Sequence, residues 1–262
     1  MKPIKSTAEY RGIILEIMKY IEDISRKNDI NCFLSGGTLL GAIRHKGFIP
    51  WDDDADMMLL REDYEKLVKI INKDDSPYRA LCWKNEADYF LPFVKVVDTR
   101  TYAKAQHVPF KNDGACVDLF PIDSLTGSKD KVSKYFAWHK KLADKYNTLY
   151  GVNPDTLSNP ILLWMYRMIL KSICILRDVR AAMNTKRSLK SKRVACSVWG
   201  YGEKEIIHRK YMTDAVTVSF EGNEFRAPIG YDKYLSNLYG DYMTPPPKTK
   251  QHNEHQARVW WR

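Results

Sequence analysis

Four aspartates lie within the short segment PWDDDADMMLL, between apolar residues on both sides. Side chains alternate along a strand, so Asp54 and Asp56 would project from one face of an extended segment. Two carboxylates that close repel each other unless a cation lies between them. Mg²⁺ takes one or two protein carboxylates and completes its shell with water and substrate phosphate. The pattern indicates a site for Mg²⁺ or Mn²⁺; a solvated acidic turn with a helix cap is the plain alternative.

A glycine pair precedes the acidic segment and leads into an apolar stretch that can begin a helix. Backbone N–H groups and the positive end of a helix dipole together bind phosphate. Gly36 and Gly37 could supply those N–H groups, and Thr38 could add its hydroxyl. A tight turn without a ligand is the commoner use of two glycines, but the nearby carboxylates favour one site that holds both metal and phosphate.

A third carboxylate is predicted from an aspartate inside an apolar strand, where burial is costly without a partner. Asp118 lies between Val117 and Leu119 in GACVDLFPID and fits this description best. Asp98 is expected at a strand end, where water can reach it. Asp123, shortly after a proline, is expected to cap a turn.

The elements around these residues predict an α/β (α+β) fold with a mixed sheet, packed helices and a helical insertion. Residues 1–127 are expected to form the catalytic core, residues 128–210 the insertion, which could face a membrane or the acceptor, and residues 211–262 a hairpin, a helix and a tail that pack back on the core. Ser6 and Glu9 have capping-box spacing at the start of the first helix. Strands are predicted at 32–34, 55–60, 90–98, 101–105 and 115–120, helices at 61–72, 129–150 and 158–183, and a hairpin turn at 221–223.

The charge and composition limit the possible binding partners but do not identify one. The chain of 262 residues has a net charge of +10, which attracts polyanions such as nucleic acid, anionic membranes or phosphorylated substrates. The first helix has acidic residues among its apolar ones, unlike a secretory signal, and no apolar run is long enough to cross a bilayer. A cytoplasmic protein is therefore expected. Five widely spaced cysteines are expected to be reduced thiols.

The segment ILLWMYRMILKSICIL, followed by the basic run at 177–193, allows two interpretations. It is either a core helix with a solvated basic extension or an interfacial helix that meets anionic lipid. Peripheral contact at the inner face of the membrane is thus one expectation for this part of the chain.

LSGGTLLGAIRHKGFIPWDDDADM, CVDLFPID and YLSNLYGDYMTPPP together resemble the LicD family of phosphocholine transferases, whose distant relatives include the fukutin-type proteins. The resemblance implies a nucleotidyltransferase-like fold in which a glycine turn and three acidic residues hold metal and a nucleotide diphosphate. By position it implies that Asp54, Asp56 and Asp118 are the catalytic and metal-binding carboxylates, and that Gly36 and Gly37 contact the donor phosphates.

The resemblance also implies the reaction: transfer of a phospho-alcohol, usually phosphocholine from CDP-choline, to a hydroxyl of a surface glycan such as lipopolysaccharide or teichoic acid, or of its lipid-linked precursor. Asp118 would orient or deprotonate that hydroxyl. Arg44, His45 and Lys46 would add positive charge over the diphosphate, or form a solvated loop. His252 and His255 would reach the site only if the tail folds back.

Two other functions remain open at this stage. The same fold could transfer a nucleoside monophosphate from a nucleoside triphosphate and release pyrophosphate. Alternatively, the chain could be a basic nucleic-acid-binding protein that uses residues 177–193, although this would leave the three aspartates unexplained. A transferase with no nucleic-acid partner is the favoured interpretation.

Overall fold

A mixed β-sheet with helices packed against it forms the centre of the fold. The computed structural model describes residues 1–104, 113–151, 157–251 and 258–262. The strands, in chain order, are β1 (Lys2–Pro3), β2 (Phe33–Leu34), β3 (Asp56–Leu60), β4 (Tyr78–Leu81), β5 (Val94–Asp98), β6 (Thr101–Lys104), β7 (Cys116–Ser124), β8 (Arg193–Cys196), β9 (Ile207–His208), β10 (Ala215–Phe220), β11 (Asn223–Pro228) and β12 (Arg258–Trp261). The helices are α1 (Thr7–Lys27), α2 (Gly36–His45), α3 (Arg61–Ile71), α4 (Lys129–Tyr150), α5 (Pro160–Arg187) and α6 (Tyr231–Tyr239).

The order of the central strands is β2-β3-β7-β5-β4, with β8 paired to β7 and β9 paired to β8. β3 and β7 run parallel, whereas β5 is antiparallel to β7. This register sets Asp56 directly beside Asp118, and Asp118 directly beside Lys95. The sheet therefore brings three charged residues from distant parts of the chain into one row.

The first helix forms as its sequence predicts. Ser6 is the N-cap residue, and its hydroxyl accepts a hydrogen bond from the backbone N–H of Glu9. Apolar residues at helical spacing from Ile13 to Ile24 are buried in the main core. Burial of this face holds α1 against the rest of the core.

Smaller β-structures connect the ends of the chain to the core. β12 pairs with both β1 and β6, and β10 and β11 form the predicted hairpin with its turn at Glu221 and Gly222. Glu221 also accepts a hydrogen bond from the backbone N–H of Phe48 at 3.0 Å. The hairpin thus supports the loop that carries the chain from α2 to the aspartates.

The middle of the chain contains the two predicted long helices, α4 and α5, which pack together around a small cluster that includes Tyr146, Tyr166 and Leu170. Residues inside the predicted insertion limits also form β8 and β9, which extend the sheet. Within the described ranges, no helix is both long enough and apolar enough to span a membrane. The five cysteines are free thiols, as expected.

The five predicted strands are present with shifted ends, but β1, β4, β8, β9 and β12 were not predicted, and β6 pairs with β12 rather than in the central sheet. The expectation for Asp98 was wrong in one respect: it ends a strand, but it is 1% exposed and pairs with Arg100. The expectation for Asp123 was also wrong. It lies within β7, is fully buried, and pairs with Arg61 through both oxygens.

Candidate active site

A cavity of about 830 Å³ lies where the starts of β3 and β7 meet the beginning of α2. Five of the residues singled out in the sequence line it together: Gly36, Gly37, Asp54, Asp56 and Asp118. The other lining residues are Tyr10, Ser35, Leu91, Phe93, Lys95, Ala103, Asp113, Gly114, Cys116, Phe120, Ala143, Tyr146, Asn147, Tyr150, Arg177, Cys196, Trp199, Gly200, Tyr201, Glu205, Tyr234 and Tyr239.

Asp54 and Asp56 form the acidic side of this cavity. Asp56 begins β3, and Asp54 lies just before it. Burial raises the pKa of both carboxyl groups well above the usual range, and their mutual repulsion raises the pKa of Asp54 further. Asp118 and Asp52 add to the repulsion on Asp56. A cation bound between these groups would relieve that repulsion.

Lys95 is the cation that the fold itself supplies to this row. Its Nζ lies 2.7 Å from Oδ1 of Asp118 and 3.5 Å from the sulfur of Cys116. Burial disfavours the charged amine, but Asp118 and Cys116 outweigh that effect, so the pKa of Lys95 is raised. Lys95 thus stays charged and holds one oxygen of Asp118 while its own side chain lines the cavity.

The start of α2 presents backbone N–H groups to the same cavity. Ser35 is the N-cap residue, but its side chain makes no capping hydrogen bond. A Cβ on Gly36 would lie 3.3 Å from Oδ2 of Asp56, and one on Gly37 would lie 3.2 Å from Oδ2 of Asp52. Gly36 also has a φ of +49°, which other residues rarely adopt. Glycine therefore allows the helix start to approach the carboxylates closely.

Thr38 and Arg11 hold the acidic loop in place from outside the cavity. Thr38 is 5% exposed, and its hydroxyl accepts a hydrogen bond of 2.8 Å from the backbone N–H of Asp56. Arg11 donates to the carbonyl groups of Ile49, Pro50 and Asp52. In this structure Thr38 positions Asp56, whereas the sequence predicted that its hydroxyl would face a phosphate.

Arg44, His45 and Lys46 lie at the opposite end of α2. The helix has ten residues, so they are roughly 13 Å from the glycines. Nη1 of Arg44 donates to the carbonyl of Tyr242, its Nε donates to His45, and Lys46 is an exposed cap residue. The structure does not bring this trio to the cavity. His252 and His255 lie outside the described residues.

Two carboxylates on the acidic side of the cavity could bind a hard divalent cation. In the described part of the chain, no group of three or more His, Cys, Asp or Glu side chains is gathered so that it could hold a metal ion. Asp118 has one oxygen engaged by Lys95. Asp54 and Asp56 remain as two neighbouring carboxylates, which is the number that Mg²⁺ uses when substrate phosphate supplies further ligands. The donor set fits Mg²⁺ or Mn²⁺ bound together with a phosphorylated substrate.

Several charged residues of the cavity were missed in the sequence. Lys95 interrupts the apolar strand FVKVV just as Asp118 interrupts GACVDLF, so the same criterion applied to cations would have found it. Burial raises the pKa of Glu205 to about 7 and that of Asp113 to about 6. Arg177 is 3% exposed, and its Nε and Nη1 have no hydrogen-bond partner among the described residues. These three gave no local signal, because only the fold brings them to the cavity.

The sheet, the glycine-led helix and the carboxylates on adjacent strands define a nucleotidyltransferase-type domain. Residues 29–148 match the family described as LicD/FKTN/FKRP, nucleotidyltransferase domain. This segment belongs to the LicD/FKTN/FKRP family. The matched segment contains Gly36, Gly37, Asp54, Asp56 and Asp118, so the family assignment and the cavity concern the same part of the molecule.

Individual relatives align with different shares of the chain. The chain is 26% identical to the lipopolysaccharide cholinephosphotransferase LicD of Haemophilus influenzae over 259 residues, which cover 94% of this chain and 95% of that protein. It is 26% identical to human ribitol 5-phosphate transferase FKRP over 121 residues, which cover 44% of this chain and 21% of that protein. An uncharacterized protein, RP689, of Rickettsia prowazekii is 29% identical over 51% of this chain and 40% of its own length.

Proposed function

We propose that this LicD-family transferase moves phosphocholine from CDP-choline to a hydroxyl of a cell-surface glycan or of its lipid-linked precursor. The observation that carries the proposal is the pairing of Asp54 and Asp56 with the glycine start of α2 in one cavity. That pairing offers a carboxylate pair for a cation and N–H groups for phosphate. The choice of choline is supported by the relative from H. influenzae, which aligns along almost the whole chain and is named a cholinephosphotransferase.

Asp54 and Asp56 would hold Mg²⁺ or Mn²⁺, and Asp118 is the third carboxylate, directly beside Asp56 in the sheet. When bound, the ion would neutralise charge on the donor diphosphate. The N–H groups of Gly36 and Gly37 bind the donor phosphates and fix their orientation. Lys95 adds a second positive charge beside Asp118. These groups hold the donor so that its outer phosphorus faces the acceptor.

The reaction is a displacement at that phosphorus. The acceptor oxygen forms the new P–O bond, the bond to the inner phosphate breaks, and CMP leaves. The oxygen of Asp118 that Lys95 does not hold would accept the proton of the acceptor hydroxyl. Lys95, whose Nζ is 2.7 Å from the other oxygen of Asp118, keeps that carboxylate oriented.

A transfer assay with defined products tests this proposal. Protein, Mg²⁺, choline-labelled CDP-choline and a lipopolysaccharide acceptor should yield labelled glycan and an equal amount of CMP. The nucleotidyl-transfer alternative predicts no reaction with CDP-choline, but release of pyrophosphate from a nucleoside triphosphate. Metal-independent binding to duplex DNA with a steep salt dependence, and no binding of nucleotide, would instead favour the nucleic-acid alternative.

The acceptor side of the proposal includes peripheral contact with an anionic membrane through α5. The outward side of α5 exposes large apolar residues: Ile161 is 68% exposed, Trp164 63% and Leu176 53%. Met165, Met168, Ile169, Val179 and Met183 continue this surface along the helix. Exposed apolar patches of this extent mark interaction sites.

Charge at the end of the same helix favours anionic lipid as the partner. Lys186, Arg187, Lys190 and Lys192 are exposed, whereas the acidic Asp178 of α5 is buried against Arg61. Basic residues that flank an apolar helix face are typical of an interfacial helix. The structure also changes the sequence-based view of the basic run at 177–193, because Arg177 is buried rather than solvated.

Vesicle sedimentation tests the membrane contact. At low salt, vesicles rich in phosphatidylglycerol should sediment the protein, and pure phosphatidylcholine vesicles should sediment it several-fold less. Trp164→Glu should reduce sedimentation, whereas Thr148→Glu, an exposed change on α4, serves as the matched control. Failure of the anionic vesicles to sediment the protein would remove this part of the proposal.

A further inference from the structure

One part of the cavity is formed by residues 199–205 and by α6, and it combines aromatic rings with a buried carboxylate. Glu205 is 4% exposed and lines the cavity. One of its oxygens, Oε1, accepts a hydrogen bond of 3.2 Å from the backbone N–H of Tyr201. The other, Oε2, has no hydrogen bond of ordinary length among the described residues, although the hydroxyl of Tyr234 lies close enough to lower the pKa of Glu205. The negative charge of a buried carboxylate is costly unless a positive charge lies beside it, so a cationic ligand group is expected here.

The backbone before Glu205 is shaped to close over this carboxylate. Gly200 has a φ of +92°, and a Cβ at this position would lie only 2.5 Å from Oε1 of Glu205. A side chain at residue 200 would therefore displace Glu205 or open the loop. The buried position of the carboxylate depends on a specific local conformation and is not a chance result of a mobile surface side chain.

Two tyrosine residues line the cavity together with Glu205 and the start of α2. Tyr201 and Tyr239 pack edge to face with ring centroids 5.5 Å apart, and their hydroxyl oxygens are 3.4 Å apart. The hydroxyl of Tyr239 lies 3.8 Å from the position that a Cβ of Gly36 would occupy. The aromatic surface thus begins beside the glycine that is proposed to bind phosphate.

We propose that Glu205, Tyr201 and Tyr239 form a subsite for the quaternary ammonium group of the alcohol that is transferred. This inference rests on the proposed function, and it names the residues that would select a cationic alcohol over a neutral one. A quaternary ammonium group has no N–H to donate, and it binds to aromatic faces and to negative charge. In phosphocholine a short ethylene linker joins the phosphate to this group, which matches the closeness of Tyr239 to Gly36.

A neutral polyol places a different demand on the protein. Its hydroxyl groups need hydrogen-bond partners in several directions, and the faces of aromatic rings provide none. Beside such a ligand Glu205 would either bury an unbalanced charge or keep its proton, whereas a cationic group stabilises the ionised carboxylate. Glu205 therefore favours a cationic alcohol group at this end of the cavity.

A pair of donors that differ only in charge tests the subsite. One is CDP-choline, and the other is its neutral isostere, in which carbon replaces the quaternary nitrogen. Calorimetry with Mg²⁺ should show that the wild-type protein binds CDP-choline roughly tenfold more tightly than the isostere. In Glu205→Gln this preference should fall to about twofold or less. Glutamine keeps the shape of the side chain and the Oε1 acceptor for Tyr201.

Changes at Tyr201 provide the matched control. This residue is 52% exposed, so its substitution is compatible with folding. Tyr201→Leu removes the ring and should reduce the preference for CDP-choline, whereas Tyr201→Phe keeps the ring and should preserve it. If Glu205→Gln does not fold, the wild-type preference and the Tyr201 pair decide the question.

Three outcomes separate the subsite from the proposed function. Equal binding of CDP-choline and the isostere by the wild-type protein would overturn the subsite while leaving phospho-alcohol transfer intact. An unchanged preference in Glu205→Gln, with kcat lowered equally for both donors, would also overturn it and would make Glu205 a proton-transfer group. Absence of binding to either donor would overturn the proposed function itself.

Discussion

β7 carries two aspartates whose surroundings contrast sharply. Asp123 is 0% exposed, and its carboxylate accepts two hydrogen bonds from Arg61 and one from Thr185. The side chain of Asp118 is 21% exposed, and it pairs with Lys95 next to two further carboxylates, Asp54 and Asp56. Opposite charges are matched around Asp123, whereas negative charges are gathered around Asp118.

The difference separates charges that build the fold from charges that await a ligand. Arg61 also binds Asp178, and Asp178 accepts a hydrogen bond from Trp83, so the network around Asp123 joins β7, α3 and α5. A buried network of this kind needs nothing from outside. Near the other end of the strand, burial and mutual repulsion raise the pKa of Asp54 and Asp56, and a bound cation would relieve that repulsion.

Removing one of the clustered carboxylates Asp54, Asp56 and Asp118 should produce the largest effect on turnover. Asp56→Asn is expected to lower turnover roughly a thousandfold, because the donor diphosphate loses its cation. Without metal, its thermal midpoint should equal or exceed that of the wild-type protein, since repulsion is relieved. Transfer assays and thermal unfolding measure the two effects. Asp130→Asn, on an exposed turn of α4, is the control and should keep normal turnover. Near-normal turnover of Asp56→Asn would remove the metal assignment.

Removing the charge of Asp123 should lower the stability of the fold and leave turnover unchanged. Asp123→Asn is expected to lower the free energy of unfolding by about 3 to 5 kcal/mol, because Arg61 loses a buried ionic partner. Molecules that remain folded should turn over normally at low temperature. Denaturant unfolding measures the first quantity, and transfer assays corrected for folded protein measure the second. A variant of normal stability would show that Asp178 alone suffices for Arg61.

The sequence allowed a better prediction for Asp118, near the start of β7, than for Asp123, near its end. Asp118 was found because it interrupts an apolar strand, and Asp54 and Asp56 because of their spacing. Asp123 was taken for a turn residue, since the proline before it suggested a break and its partner Arg61 lies far away in the sequence. The proposed ligands Asp54 and Asp56 lie close together in the sequence, whereas the partner of the structural Asp123 is set by tertiary packing.

The fold shows the same limit. The helices and the hairpin were predicted because hydrophobic periodicity, capping residues and turn residues are local signals. β8 and the pairing of β6 with β12 were not, because a short strand receives its place in a sheet from non-local partners. Glu205 and Arg177 reach the cavity through these non-local contacts, so neither could be assigned to the site from its neighbours in sequence.

The stability of the protein should depend on pH through Glu205, a buried carboxylate with a raised pKa. Its pKa is raised from 4.5 to about 7, so the folded protein keeps a proton that the unfolded chain releases. This contribution to stability is complete below pH 4.5 and is lost as pH rises through about 7. The stability of metal-free wild-type protein relative to Glu205→Gln should therefore fall by about 3 kcal/mol between about pH 5 and about pH 8.

Denaturant unfolding of both proteins at the two pH values measures this difference. Subtracting the variant removes the titration of other groups, provided that they titrate alike in both proteins. A stability difference that does not change with pH would mean that Glu205 is matched by a partner in solution, as Asp123 is in the fold.

Two lysines provide the smallest expected effect and a direct comparison. Lys95→Met removes the positive charge next to Asp118 and should lower turnover at least about tenfold, because donor binding and the orientation of Asp118 both suffer. Lys46→Met removes an exposed charge at the far end of α2 and should change turnover less than about twofold. The same substitution thus separates a charge inside the cavity from one outside it. If Lys46→Met were the more damaging change, the basic loop after α2 would reach the donor in solution, and the charges that serve the diphosphate would not be limited to the row on β3, β7 and β5.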